Sequence, residues 1–506
     1  MNVLFISVDS LRRDFLTTYS EHPDIVDYEV DTRNLDRFAN RATVFDTHYA
    51  GSLPCMPARR EFLTGTKEFL WRPWGPIEPF DEPIPKMARD EGIVSQFITD
   101  HFHYFQHGSH GYYEDFNGFE FIRGNEYDAW KTSPKRPDAD FLSQILDPNS
   151  DPPESTQYLN RAVYARNSMN FDVEEDYFTP QVFSHAKNWL KSNKNWNDWF
   201  CYVDNFDVHE PFDIPETYAS MYTSENPDDP QLPIWPYYGR ITKGQSKLSQ
   251  RELEFVQSQF AGSVTMVDRW LGEVFDALDA ESLWQETMVI ITSDHGFELG
   301  DHGYIGKNEF LTYDTIARTP LMIWHPDIDL PDRVQALTTA VDLYSTILEG
   351  LDITHPDRLH SQSLIPLLHD KKSKHRDYVL YGYWGSSINI TDGRYTYHHP
   401  PKPGSDADCF STSMINPHSW FTPPEGRTNA EAGEFLPYTK TPVWRYSDHS
   451  WLQHEQPRLY DTKSDPHQHN NIIEEESSIA NRMYDLLKTG LSEMDSPKSQ
   501  YSRLGI

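Results

Sequence analysis

The chain opens with Met1-Asn2-Val3-Leu4-Phe5-Ile6-Ser7-Val8-Asp9, and far downstream Met288-Val289-Ile290-Ile291-Thr292-Ser293-Asp294 repeats the form. Each is an apolar run closed by an acid, the pattern of a strand buried on both faces. Outward from these two, Val94 to Thr99 and Trp199 to Val203 read as further strands. Helical patterns lie at Pro180 to Lys191 and at Gln250 to Leu278, the latter with Phe255, Phe260, Val264, Val267, Leu271 and Phe275 at amphipathic spacing. Strands alternating with helices predict an α/β fold, a large mostly parallel sheet flanked by helices. Ligands of such sheets bind beyond the carboxyl ends of the strands, where Asp9 and Asp294 both fall.

The polar segment from His369 to Arg376 marks a change of pattern. Residues 1–375 are expected to form the main α/β domain, and 376–506 a smaller C-terminal α+β subdomain packed on it. Tyr378 to Tyr383, Ser387 to Thr391 and Arg394 to His398 alternate like strands, with Asp392-Gly393 as a hairpin turn, so this part predicts a small antiparallel sheet. A closing helix is expected near Ile479 to Leu487, and the Pro-rich stretch from Pro400 to Pro442 reads as loop.

A chain of 506 residues exceeds what one hydrophobic core usually organises. No apolar run reaches the roughly 20 residues of a membrane-spanning helix. The N-terminus has neither a basic leader nor a cleavage site, so a cytoplasmic protein is expected. The formal charge of -34 disfavours attraction to nucleic acid or anionic membranes, and neither is expected as a partner. Such an acid excess would keep a protein soluble at high ionic strength. It also means that a site for anions must gather its few cations locally. The three cysteines, Cys55, Cys201 and Cys409, are too scattered for a disulfide framework.

The segment Cys55-Met56-Pro57-Ala58-Arg59, continuing to Leu63-Thr64-Gly65, resembles the signature of the formylglycine-dependent sulfatases of the alkaline phosphatase superfamily. A lone cysteine is otherwise most often a buried small hydrophobe. The resemblance continues in order along the chain: Asp9-Ser10-Leu11-Arg12 and Ser293-Asp294-His295-Gly296 look like two metal motifs, and Gly306-Lys307 with Tyr313-Asp314 and Arg318-Thr319-Pro320 looks like the segment that supplies a sulfate-binding lysine. Val341-Asp342-Leu343-Tyr344 and Leu459-Tyr460-Asp461 resemble late structural signatures.

The resemblance implies that a maturation enzyme oxidises Cys55 to formylglycine and that Asp9, Asp294, His295 and residue 55 hold a hard divalent cation, calcium before magnesium or manganese. Two helix N-caps are the alternative reading of the aspartates. Many sulfatases carry two successive aspartates at the first motif, whereas Ser10 follows Asp9 here. Phosphonate and phosphodiester hydrolases that use formylglycine have one acidic ligand there and an Asp-His second motif, which Ser10 and His295 match.

His209, in Asp207-Val208-His209-Glu210-Pro211, sits where the family has a histidine after an apolar strand. His101 and His103 resemble a family Lys-x-His element that contacts sulfate; on an extended strand end they would share a face, which leaves a zinc site as the other reading. Asp100, Tyr112-Tyr113 and the stretch Arg123 to Asp128 are candidate pocket residues, with ordinary loop structure as the alternative. A hydrated aldehyde offers two hydroxyls on one carbon, one to attack sulfur and one to expel sulfate. The implied catalytic set is Cys55, Arg59, His103, His209 and Lys307, with His101, His103, His209 and Lys307 on the substrate. Arg59 would hold residue 55 and balance the carboxylates, or serve as a plain ion pair. The expected reaction is hydrolysis of a sulfated small molecule or saccharide. Phosphonate monoester or phosphodiester hydrolysis at the same site is the runner-up, and an unmodified, inactive protein that binds sulfated glycans is the reading from another class.

Overall fold

The computed structural model describes residues 1–506 apart from 20, 107–108, 147–159, 310, 357–359, 371, 373, 419–424 and 453. An eight-stranded sheet runs in the order Arg333–Val334, Thr43–Phe45, Leu321–Trp324, Thr287–Thr292, Asn2–Val8, Trp199–Asn205, Val94–Thr99 and Gly118–Phe121. Only Leu321–Trp324 pairs antiparallel with its neighbours; every other pairing is parallel. The expected mostly parallel sheet is therefore present, and its central strands are the four read from the sequence.

Alternation along Asn2–Val8 explains why helices cover both faces. Leu4, Ile6 and Val8 join a core with the helices Phe178–Asn193 and Gln250–Ala280, whereas Val3 and Phe5 join a second core with Cys55–Thr64 and Asp342–Gly350. The Gln250–Ala280 helix starts at a capping box in which Ser249 and Glu252 satisfy each other's backbone. No helix among the described residues is long and apolar enough to cross a membrane.

A five-stranded sheet follows, in the order Arg458–Asp461, Tyr395–His399, Ile388–Thr391, Val379–Tyr383 and Ser52–Leu53. Its first four strands are antiparallel, as expected. The fifth comes from before residue 375 and pairs parallel, Gly382 with Ser52 and Tyr383 with Leu53. The chain just ahead of Cys55 is thereby fixed by the C-terminal part, and the helix Ser477–Glu493 packs against that sheet through Met483, Leu487 and Leu491.

The Pro400 to Pro442 stretch differs from the loop reading. It contains the strands Asp406–Ser411 and Glu431–Gly433, both paired antiparallel with Val443–His449. Ala407 and Cys409 turn inward onto Trp384 and Tyr446. The prolines lie outside these short strands, so ladder bonding survives. Residues 419–424 of that stretch, with Lys371 and Ser373 of the boundary segment, lie outside the described residues.

Candidate active site

Three parallel strands deliver an acid each to one sheet edge. Asp9 follows Asn2–Val8, Asp294 follows Thr287–Thr292, and Asp204 lies near the end of Trp199–Asn205 in register with Ser7. All three are fully buried. Ser10 N and His295 N donate to Asp294 Oδ1 at 3.1 and 2.8 Å, leaving Oδ2 to face inward. Gly296 follows because a Cβ there would collide with the Thr315 carbonyl.

Opposite these acids begins the Cys55–Thr64 helix, with Cys55 in its first turn, where backbone N–H groups and the helix dipole favour negative charge. Gly65 ends it in the left-handed region at φ 68°, tight against the Tyr344 ring, which gives the Leu63-Thr64-Gly65 element its physical reason. One turn on from Cys55, Arg59 reaches all three carboxylates: Nη1 to Asp294 Oδ2 at 2.5 Å, Nη2 to Asp9 Oδ2 at 3.0 Å, and a fork to Asp204 at 2.8 and 2.9 Å. Nη1 also donates to the Cys55 carbonyl at 3.2 Å. Burial opposes the guanidinium charge, but Asp204, Asp294 and Asp9 outweigh it and hold Arg59 well above its ordinary value.

Cys55, Asp9, Asp294 and His295 offer donor atoms that all lie within 4.8 Å of one another. Cys55 Sγ is 3.3 Å from His295 Nε2, and that nitrogen is 3.1 Å from Asp294 Oδ2. His295 Nδ1 faces the Gly296 carbonyl at 2.9 Å, which assigns the proton to Nδ1 and leaves the Nε2 lone pair aimed at the cluster. The donor set fits a divalent cation. Burial and the neighbouring Asp9 push Asp294 up, a sign of two carboxylates in want of positive charge. Burial also opposes ionisation of Asp9, yet Arg59 foremost holds it well below the usual range.

Lys307, after the strand Tyr304–Gly306, brings Nζ to 3.1 Å from Cys55 Sγ and 2.7 Å from His209 Nε2. His209 Nδ1 faces the Glu210 carbonyl at 2.7 Å, and its ring stacks on Phe206 at 4.2 Å. Burial and then Lys307 push His209 well below its ordinary value, so it is neutral and accepts from the lysine. Burial works against Lys307 as well, but Cys55, Asp9 and Glu210 prevail and keep it charged.

The two remaining histidines divide. His101 Nδ1 lies 3.4 Å from Asp204 Oδ2, while His103 Nε2 lies 3.0 Å from Glu126 Oε2. The strand ends at Thr99 and His103 belongs to a 3-10 turn, Phe102–Phe105, so the shared face expected of an extended His-x-His pair does not form. Neither joins a metal-capable cluster; the other such group among the described residues is His418, Asp448 and His449, where Arg427 already pairs with Asp448 at 3.1 Å.

Among the candidate pocket residues, Asp100 accepts from Phe206 N and Asn125, Asp128 ties down Arg123 and Gly124, and Tyr112 donates to the Met56 and Gly75 carbonyls. Glu126 alone of that stretch turns its carboxylate toward His103. Sequence reading does not single out Asp204, although it too is an acid near the carboxyl end of an apolar strand.

A sequence model of the Sulfatase family matches residues 1–353. The multifunctional alkaline phosphatase superfamily protein PehA of Trinickia caryophylli is 26% identical over 433 residues, spanning 73% of this chain and 77% of that protein. An arylsulfatase of Clostridium perfringens is 23% identical over 414 residues, spanning 75% of this chain and 80% of its own length. The crystal structure of the phosphonate monoester hydrolase of Agrobacterium radiobacter superposes with a TM-score of 0.66 at 18% identity, over 97% of this chain and 96% of that one. With the family's sequence pattern covering the strands and the helix that build this cluster, the chain belongs to the sulfatase family of sulfuric ester hydrolases.

Proposed function

We propose that this protein hydrolyses sulfate esters with a formylglycine made from Cys55 and a divalent cation held by Asp9, Asp294, His295 and residue 55. The observation that carries the reading is the position of Cys55 Sγ, which has the acid-histidine cluster on one side and Lys307 Nζ, 3.1 Å away, on the other. The cation, calcium before magnesium or manganese, would supply charge at the sulfate oxygens and at the nucleophile. Formylglycine, installed by a maturation enzyme and hydrated by one water, would supply one hydroxyl to attack sulfur and a second to expel sulfate.

The other roles fall to residues already in place. Arg59 holds the three carboxylates and the Cys55 carbonyl, which fixes residue 55 and limits repulsion at the cation site. Lys307 neutralises the transferred group and carries the proton that His209 accepts, so the pair delivers it to the departing alcohol. His101 acts through Asp204 on Arg59, while His103 faces the substrate with Glu126.

Ser10 favours a second reading, hydrolysis of phosphonate monoesters or phosphodiesters. Its hydroxyl donates to Asp9 Oδ1 at 2.8 Å where a second carboxylate would add negative charge. Rates on matched aryl sulfates and aryl phosphonate monoesters, measured side by side, separate the two. Mass spectrometry of the Cys55 peptide from the native host tests the nucleophile: formylglycine is about 18 Da lighter than cysteine. An unmodified thiol there would instead favour a protein that binds sulfated glycans without cleaving them.

A further inference from the structure

The site is asymmetric about Lys307. On the side away from the cation cluster stand two more carboxylates, Glu126 and Glu210, which are 5% and 3% exposed. Glu126 adopts a left-handed backbone at φ 45° and meets His103 at 3.0 Å. Glu210 Oε2 accepts no hydrogen bond among the described residues; the neutral His209 lies beside it, Nδ1 at 3.3 Å, already engaged by the backbone. Tyr238 is bonded to Glu210 and lies within the field of both glutamates and Cys55, with Lys307 Nζ 6.0 Å from its ring centre. Its side chain is 40% exposed.

Buried carboxylates are costly without enough donors, and these two adjoin His103 and the His209–Lys307 pair in a site that must admit an anion. Burial pushes Glu210 up to about 7; Lys307 opposes the shift and Glu126 adds to it, so positive charge is in short supply at this end. A hydroxyl or ammonium group on the substrate would meet that demand. Resting on the sulfatase reading above, we infer that Glu126 and Glu210 select the leaving group, favouring alcohols with hydroxyl or ammonium donors beside the ester and rejecting those with a carboxylate or a second sulfate there. Tyr238 offers its face to the ring that carries those donors.

The test uses aryl esters with matched leaving-group pKa that bear an aminomethyl, a hydroxymethyl or a carboxylate substituent, each prepared as sulfate and as methylphosphonate. In the wild type, kcat/KM for the ammonium ester is expected to exceed that for the carboxylate ester by about tenfold or more. Glu126→Gln and Glu210→Gln should each shrink that ratio about threefold or more, whatever either does to the absolute rate. Equal rates across the substituents, or ratios unmoved in both variants, overturn the assignment. Inert sulfates beside reactive phosphonates overturn the sulfatase reading alone, since the substituent ratio is then read on the phosphonates; inertness of both series overturns both.

Discussion

Lys307 Nζ stands 2.7 Å from His209 Nε2, and because His209 Nδ1 is turned to the Glu210 carbonyl, the lysine is the donor of that bond. The fold places them as one proton-sharing pair beside Cys55. His209→Ala is therefore expected to slow esters of poor, high-pKa leaving groups by about a hundredfold or more and activated aryl esters much less. Lys307→Ala should slow both, and the double variant should lose less than the product of the single losses, since both act on one proton. A leaving-group series of aryl and alkyl sulfates measures this; equal losses for both classes in His209→Ala would leave that residue as a sulfate contact only.

Cys55→Ala is expected to abolish turnover and keep the fold. The side chain is 1% exposed, with Sγ against His295 and Lys307, and removal of one sulfur atom should cost about 1 kcal/mol. Denaturation and activity assays on the same preparation check both parts, and retained activity would remove residue 55 from the reaction.

Arg59 is enclosed by Asp9, Asp204 and Asp294 with no solvent to screen them. Arg59→Met should destabilise the protein by about 3–5 kcal/mol, because it leaves buried carboxylates uncompensated. A loss near that of an exposed ion pair, under about 1 kcal/mol, would reduce Arg59 to a surface-type contact. Urea unfolding midpoints give the difference.

Chelation should remove activity and lower the melting temperature together, since the proposed cation would offset two neighbouring buried carboxylates. Calcium, magnesium and manganese restored separately should each raise the melting temperature with concentration, by about 2.7 kcal/mol of stability at a hundredfold excess over Kd. Activity that survives exhaustive chelation would argue against the proposed ligand set.

Asp342, one of the late signature residues, is a fully buried partner of Arg376 and His375. Burial resists its ionisation, but Arg376 outweighs that and holds the carboxyl well below its ordinary value. A lowered native pKa contributes stability that is fully present above the unfolded value of about 3.9 and is lost as pH falls through the native one. Asp342→Asn should therefore be least stable relative to wild type at neutral pH, with the gap closing below about pH 4. A gap that stays constant from pH 7 to pH 3.5 would assign the effect to packing.

The local pattern of residues determined a good deal. Strands ending at Asp9 and Asp294, the helices over Pro180 to Lys191 and Gln250 to Leu278, and the antiparallel strands after residue 376 all showed in side-chain periodicity, which adjacent residues fix by themselves. The Cys55 signature and the paired motifs named the residues of the cluster. Tertiary structure alone decided which groups meet. Asp204 lies in a run with a second acid, Asp207, and only the parallel register with Ser7 turns it toward Arg59. His101 and His103 are two residues apart, yet the turn after Thr99 sends one to Asp204 and the other to Glu126. Ser52 and Leu53 became a strand because Gly382 and Tyr383 offered an edge to pair with, and Asp406–Ser411 because Val443–His449 lay alongside. Sheet partners and ion-pair partners are separated by tens to hundreds of residues, so nothing in local sequence specifies them until the cores on the two faces of the main sheet are packed.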